Sequence, residues 1–232
     1  GTLKSGTALS FDGTNDYVEA DGVINDISSD TVGSVSLWAK TPNNTSGSHI
    51  VLFSVADTDA STFFFMQMRN YGELRCGIKN NNVNKWYAET SQVEIEDDIW
   101  YHVVVVQDGV SPLVYINGES KSFDWVATTD ETQWFSDLSG IDNCTIGANN
   151  SNSGGYSSFW NGLISNVKVF SEAIDQDAVR ELFLNPEQIL PTGVSSSNLK
   201  LYLPMNEGDG TINYDGSGNQ NHGTISGATW DT

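Results

Sequence analysis

Near the end of the chain, "YDGSGNQNHG" puts an oxygen-bearing side chain on every second residue: Asp215, Ser217, Asn219 and Asn221. Hard cations such as calcium take six to eight oxygens at about 2.3–2.6 Å, and alternating donors in a Gly-rich turn can wrap one. A second oxygen-rich turn, "FDGTND", carries Asp12, Asn15 and Asp16. Asp, Asn, Ser and Gly are also the ordinary turn residues, so a plain polar hairpin accounts for the same text. No Glu closes a twelve-residue loop, which excludes an EF-hand.

A second constellation suits sugars, whose sites join an aromatic face to fixed amides and carboxylates. "ANNSNSGGYSSFWNG" offers Asn149, Asn150, Asn152, Tyr156 and Trp160, and "FDWVATTDETQW" offers Trp125 and Trp134. "PNNTSGS" is expected to flank them. Loops at one end of a sandwich are the usual binding edge. Packing of Trp125, Trp134 and Trp160 beneath their own loops is the competing expectation. Trp38, Trp100 and Trp230 sit in strand-like text and read as core. In "KWY", 85–87, one residue is expected in the core and the next on an open face.

The elements that must hold these loops are short strands. "ALSFDG", "DYVEA", "VGSVSLWAK", "HIVLFSVAD", "STFFFMQMRN", "ELRCGIKN" and "KWYAETSQVEI" follow one another with polar or Gly-bearing turns between. "IWYHVVVVQDG" is apolar on both alternating faces, which marks a central strand covered on both sides. "SPLVYINGES" ends in Asn117-Gly118, a strong hairpin signal. "CTIGANN" and "GLISNVKVF" complete the run. "DQDAVRELF" reads as one helix, with Asp175 as N-cap and Ala178, Val179, Leu182 and Phe183 on one face. Residues 186–198 read as a linker, and "LKLYLPMN" as a further strand demoted towards an edge by Pro204.

The chain has 232 residues with a net charge of -20, from 30 acids against 10 bases. Such a surface repels nucleic acid and anionic membranes and suits cations, neutral sugars or basic partners. No run of 18 apolar residues is present, so no membrane-spanning helix is expected. Without a starting Met or signal peptide, the text reads as a matured or excised piece. Cys76 and Cys144 make no disulfide framework and are expected to stay unpaired. Asn43, Asn44, Asn143 and Asn149 precede x-Ser/Thr, as chance allows in a chain this rich in Asn and Ser.

Several stretches in register resemble the laminin G-like, concanavalin A-like jelly roll: "ALSFDGTNDYVEA", "VSLWAK", "WYHVVVVQDGVSPLVYINGE", "IGANN" and "FWNGLISNVKVFSEAIDQDAVRELF". The closing "LKLYLPMNEGDGTINYDGSGNQNHGTISGATW" is similar to the stretch that usually precedes the "SFDG" strand, yet here it follows the helix. The tail therefore either supplies missing strands to its own sandwich or begins a next repeat. The resemblance also implies that the two oxygen-rich turns are neighbours and share a structural calcium. One departure stands out: residues 162–167 read Gly-Leu-Ile-Ser-Asn-Val where the family often carries a carboxylate.

The same superfamily includes hydrolases and lyases. Retaining hydrolysis needs two carboxylates about 5–5.5 Å apart. Glu94 and Glu96 alternate correctly in "VEIEDDIW", but the third carboxylate of the family 16 glycoside hydrolase pattern is missing. Lyase chemistry would want a Tyr/His pair with Arg or Gln. Tyr101 and His102 are adjacent, which sends them to opposite faces of a strand, and His49 and His222 are scattered.

The sequence thus predicts an all-β fold, a two-sheet antiparallel jelly-roll sandwich with one short helix near residues 175–184. A single domain is expected over 1–232, with a core at 7–185, a linker at 186–198, and 199–232 either completing the sandwich or opening the next repeat. The expected function is a non-catalytic, lectin-like, calcium-stabilised carbohydrate-binding module of a larger extracellular or cell-surface protein. A structural or protein-binding adhesion module is the alternative, ahead of a polysaccharide hydrolase or lyase. Partners are then a carbohydrate or polysaccharide, or else a surface protein, with no nucleic acid and no membrane insertion.

Overall fold

The computed structural model describes residues 7–42, 49–69 and 72–231. Among them, two antiparallel sheets face each other. The back sheet runs, in spatial order, Glu119–Ser120, Pro112–Ile116, Tyr101–Gln107, Gly33–Lys40, Asn161–Phe170, Ala8–Asp12 and Thr229–Asp231. Leu199–Leu203 pairs with the second half of Asn161–Phe170, in line with Ala8–Asp12. The front sheet runs Phe123–Thr128, Val83–Thr90, Leu74–Asn80, Phe63–Met68, Ile50–Ala56, Asn143–Ile146, Tyr17–Glu19, Gly223–Ser226 and Ile212–Asn213. This is the two-sheet sandwich that the strand spacing predicts.

Tyr101–Gln107 shows how period-two patterning works when both faces are covered. Val103 and Val105 enter the core between the sheets. Val104 and Val106 turn outward and are buried by Ile174, Ala178, Val179 and Leu182 of the helical segment. The helix Gln176–Leu184 starts where Asp175 caps it, its Oδ1 accepting from the Ala178 amide at 2.8 Å. Such a cap contributes about 1 kcal/mol. The Asn117-Gly118 turn has φ of 53° and 80°, the left-handed pair that a tight hairpin requires.

Residues 186–198 are not a free tether. Leu190 and Val194 pack on the back-sheet cluster. The Glu181 carboxylate accepts from Gln188 Nε2 at 2.6 Å and from the Thr192 amide at 2.8 Å. After them the tail joins both sheets. Gly223–Ser226 pairs with Tyr17–Glu19, and Thr229–Asp231 with Ala8–Ser10.

The tryptophans in strand-like text divide. Trp38 is buried on the outer side of the back sheet against Phe183. Trp100 lies outside any strand, half-buried, with Lys40 Nζ 5.8 Å from its ring centre. Trp230 is half-buried at a sheet edge and donates to Gly210 O at 3.0 Å. Cys76 and Cys144 are both buried and free, and burial alone pushes the Cys76 thiol up to about 12.

His102 and Lys168 are buried beneath the helical side of the back sheet. Burial, then the charge of Lys168, lowers the His102 pKa to about 3, while its Nε2 meets Ser36 Oγ at 2.8 Å. An unfolded imidazole protonates near 6.5, so acid favours the unfolded chain. The stability that neutral His102 confers is complete above pH 6.5 and falls as pH drops towards 3, by about 1.4 kcal/mol per pH unit. Burial likewise lowers Lys168 to about 7, which opens a second loss between about pH 10.5 and 7. Burial raises the carboxyls of Asp16, Asp21 and Asp30, which act in the opposite sense on acidification. Comparison with His102→Gln isolates the imidazole. The variant is expected to lose the acid slope between pH 6.5 and 3 in denaturant titrations; parallel curves for the two proteins would refute this.

Candidate functional site

The outward rows of the front sheet are set by strand alternation. Phe63–Met68 turns Phe63, Phe65 and Gln67 to one side, Leu74–Asn80 turns Arg75 and Gly77, and Val83–Thr90 turns Tyr87 and Glu89. Register makes two cross-strand rows of them, Phe65–Gly77–Tyr87 and Gln67–Arg75–Glu89. Trp86, which precedes Tyr87 in sequence, is fully buried, so "KWY" divides between core and open face as expected. Gly77 is required by contact. A Cβ there would lie 2.4 Å from Tyr87 Cδ1, so the tyrosine ring rests across bare backbone. Tyr87 then meets Phe65 edge-on, with centroids 5.0 Å apart.

A hairpin closes one side of this surface. Asn149–Asn150 pairs with Tyr156–Ser157, and the Val51 amide donates to Ser158 O at 2.8 Å. Tyr156 stacks on Tyr17 with centroids 3.8 Å apart, and its hydroxyl donates to Glu19. Between hairpin and sheet lies a cavity of about 220 Å³ lined by His49, Phe63, Phe65, Gln67, Arg75, Tyr87 and Asn149. A second cavity of about 300 Å³ shares His49 and Ser158 with it and continues to Asp12 and Asn161. The two adjoin at His49 and Ser158 and together make up the candidate cleft.

The charges at its rim are organised by Glu89. Arg75 Nε donates to Glu89 Oε2 at 2.8 Å, and Arg69 Nη1 to the same oxygen at 2.8 Å. Burial alone would raise Glu89, but the hydrogen bonds and charges of Arg69 and Arg75 hold its carboxyl below the usual range. Burial, then the charges of Arg69 and Arg75, lowers His49. Arg69 Nε donates to His49 Nε2 at 3.3 Å, which leaves the proton of the neutral ring on Nδ1.

The residues expected to bind sugar fare unevenly. Asn149 lines the cavity, and Asn150, Asn152 and Tyr156 belong to the adjoining hairpin. The three tryptophans lie elsewhere. Trp134 is fully buried, stacked on Phe135 and edge-on to Phe64. Trp160 is fully buried as well. Trp125 sits on the edge strand opposite Ala88, a core residue, and packs edge-on to Phe123. It is therefore on the wrong side of the sheet for the cavity. The stretch 43–48 of "PNNTSGS", with Asn43 and Asn44, lies outside the described residues. Asn143 of the remaining sequons is buried. Of the residues that sequence reasoning missed, Phe63, Phe65, Gln67 and Arg75 were signalled by alternation in "FFFMQM" and "LRCGIKN", while His49, just before the strand Ile50–Ala56, carried no such signal.

The two oxygen-rich turns are not neighbours. Thr224 pairs with Glu19 and Ser226 with Tyr17, so strand Gly223–Ser226 separates them. Turn 12–16 lies by Gly227, whose added Cβ would fall 2.0 Å from Asp16 Oδ1. Turn 215–221 lies at the other end. There Asp215 accepts from the amides of Tyr202, Ser217 and Asn221 and from the Ser217 hydroxyl. Asn219 and Asn221 point their amide nitrogens at backbone carbonyls, and Asn221 also at Asp26. In the first turn, Asp12 caps Thr14 N and Asp16 accepts from Asp12 N. Asp12, Asn15, Asp16, Asp215, Ser217, Asn219 and Asn221 thus do not fit one shared calcium. The Asp215 and Ser217 oxygens are engaged by N–H and O–H donors, and with the amide nitrogens of Asn219 and Asn221 they pin the tail to Leu199–Leu203.

Neither of the residue pairs weighed above as catalytic comes together. Glu94 is paired with Lys121 at 2.6 Å, and both Glu94 and the exposed Glu96 lie outside any strand. His102 is buried on the helical side of the back sheet, while the Tyr101 hydroxyl accepts from the Glu96 amide. The cavity nevertheless gathers His49 and Tyr87 with Arg75 and Gln67.

A laminin G-type family profile, described as the concanavalin A-like lectin/glucanases superfamily, matches residues 12–180. Among curated proteins no match was found. Solved structures resemble the chain at low identity. The CBM40 module of a Ruminococcus gnavus IT-sialidase, bound to alpha2,3-sialyllactose, superposes with a TM-score of 0.59 at 15% identity, over 68% of this chain and 86% of the module. A Bacteroides ovatus protein, described as a candidate carbohydrate-binding protein, gives 0.64 at 17% identity, over 99% of this chain and 60% of its own. A SAP-like pentraxin of Limulus polyphemus gives 0.54 at 21% identity, over 82% and 87%. At these identities the likeness is one of fold. With its matched profile spanning most of the sandwich, the chain belongs to the concanavalin A-like lectin/glucanases superfamily.

Proposed function

We propose that the front-sheet cleft binds carbohydrate without transforming it, as a module acting outside the cell or at its surface. One observation carries this reading: the rings of Phe65 and Tyr87 line the same cavity as the Gln67 and Asn149 amides and the Arg75 guanidinium. Apolar ring faces suit the C–H faces of sugars, and fixed amides suit their hydroxyls. The resemblance in fold to a carbohydrate-binding module supports it. A glycan array probed with wild type and Tyr87→Ala, in calcium and in EDTA, is the test. Binding is expected in both buffers and is expected to fall about tenfold or more in the variant. An array without hits would return the domain to the alternative of a protein-binding adhesion module.

A second reading is favoured by His49 and Tyr87 lining one cavity with Arg75 and Gln67. Elimination from a uronate polymer needs a base, an acid and groups that neutralise the carboxylate. The base takes the proton alpha to the carboxylate, the glycosidic C–O bond breaks as a C=C bond forms, and the departing oxygen gains a proton. Unsaturated, ultraviolet-absorbing ends accumulating from a polyuronate would establish it. Polymer recovered intact leaves the binding reading.

A further inference from the structure

We infer that the ligand of this cleft carries a carboxylate that pairs with Arg75, next to a neutral sugar over Asp12 and Asn161. The inference rests on the carbohydrate-binding reading and names the class of sugar.

Bases are scarce in this chain, 10 against 30 acids, and only three are arginines. Two of those three, Arg69 and Arg75, converge at the rim of one cavity. They share a single carboxylate, Glu89, with nearest approaches of 2.8 and 2.7 Å. Two guanidiniums bond this one carboxylate, and the next acid of the row, Asp124 opposite Glu89, lies one strand further from the cavity. On a surface this acidic, two guanidiniums gathered beside one cavity make it a local exception to the field around it.

Arg75 is also poised to use the charge. Its side chain is only 12% exposed, so salt screens it less than a surface residue. Its Nε and Nη2 are committed to Glu89, which fixes the plane of the guanidinium. Its Nη1 makes no hydrogen bond among the described residues, while the side chain lines the cavity. A planar guanidinium held this way matches a planar carboxylate. Asn149 adds an independent sign of a ligand. Its Nδ2 donates to Ser151 Oγ, but its Oδ1 is buried without a partner. A sugar hydroxyl is the donor it lacks.

The neighbouring cavity has the opposite character. It continues the cleft past His49 and Ser158 to Asp12, with Asn161 beside it. A second acidic sugar would bring its carboxylate against Asp12. The cleft therefore suits an acidic residue followed by a neutral one, and disfavours an unbroken polyuronate.

Calorimetry with four probes tests this: alpha2,3-sialyllactose, a hyaluronan tetrasaccharide, lactose and a galacturonate trimer. At least one of the two acid–neutral probes is expected to bind about tenfold or more tighter than lactose, and tighter than the trimer. Which one it is separates a sialic acid from a uronic acid. Arg75→Gln is expected to remove that advantage, bringing the acidic probes to the level of lactose on the same variant, whereas Tyr87→Ala weakens every probe. Arg75→Lys, which keeps the charge without the fork, is expected to retain part of the preference, and thermal melts confirm that each variant is folded. Lactose bound as tightly as the acids, or a preference that survives Arg75→Gln, would overturn the carboxylate assignment alone. A trimer bound best would overturn the acid–neutral order. No binding by any probe would overturn the carbohydrate reading and this inference with it.

Discussion

A chain ending at Asn198 is expected to show no cooperative thermal transition. The segment beyond it supplies Leu201, Leu203 and Met205, all fully buried, and Ile225 to the main core. It also covers the free edges of Tyr17–Glu19 and Ala8–Asp12. Burying a large apolar side chain contributes about 1.5–3 kcal/mol, so four such residues represent roughly 6–12 kcal/mol. A domain has about 5–15 kcal/mol in total. Removing the tail therefore takes away stability comparable with the whole. Circular dichroism and amide dispersion by NMR would show it. A truncated protein that melts sharply, with native-like dispersion, would refute the claim that the tail is part of the fold.

The second large effect is expected at Trp134. Its ring is enclosed by Phe64 and Phe135 between the sheets. Trp134→Ala is expected to destabilise the fold by about 3–5 kcal/mol, which lowers the melting temperature by roughly 6–20 °C at this size. Glycan affinity of the fraction that remains folded should be unchanged. Tyr87→Ala is expected to do the reverse, leaving the melt close to wild type and weakening sugar binding. Loss of affinity in Trp134→Ala at an unchanged melting temperature would return that residue to the binding surface and displace the cleft.

These two variants mark where the sequence was legible and where it was not. Local signals were sound because they depend on neighbours in the chain. Asp175 caps its helix, Asn117-Gly118 turns its hairpin, and Tyr101–Gln107 is covered on both faces. The tryptophan loops misled because a ring's destination depends on what lies beneath the loop. Trp134 and Trp160 both found the core. The cleft was hidden for a related reason. Gly77 lies under Tyr87, and Arg69 and Arg75 meet at Glu89, only once three strands take their register. The two oxygen-rich turns were expected side by side because the family resemblance implies it. Pairing of Gly223–Ser226 with Tyr17–Glu19 places them at opposite ends.

The pairing of the last strand has a mechanical consequence. Ala8 and Asp231 are register partners at the sheet's edge, as are Leu9 and Trp230. Tension applied between Ala8 and Asp231 acts across the ladder, along the hydrogen bonds of an antiparallel pair. The load falls on one bond at a time, and the edge strand peels away like a zipper before the sandwich is strained. In a chain under tension, this tail would yield early, at low force, and would close again when the pull is released.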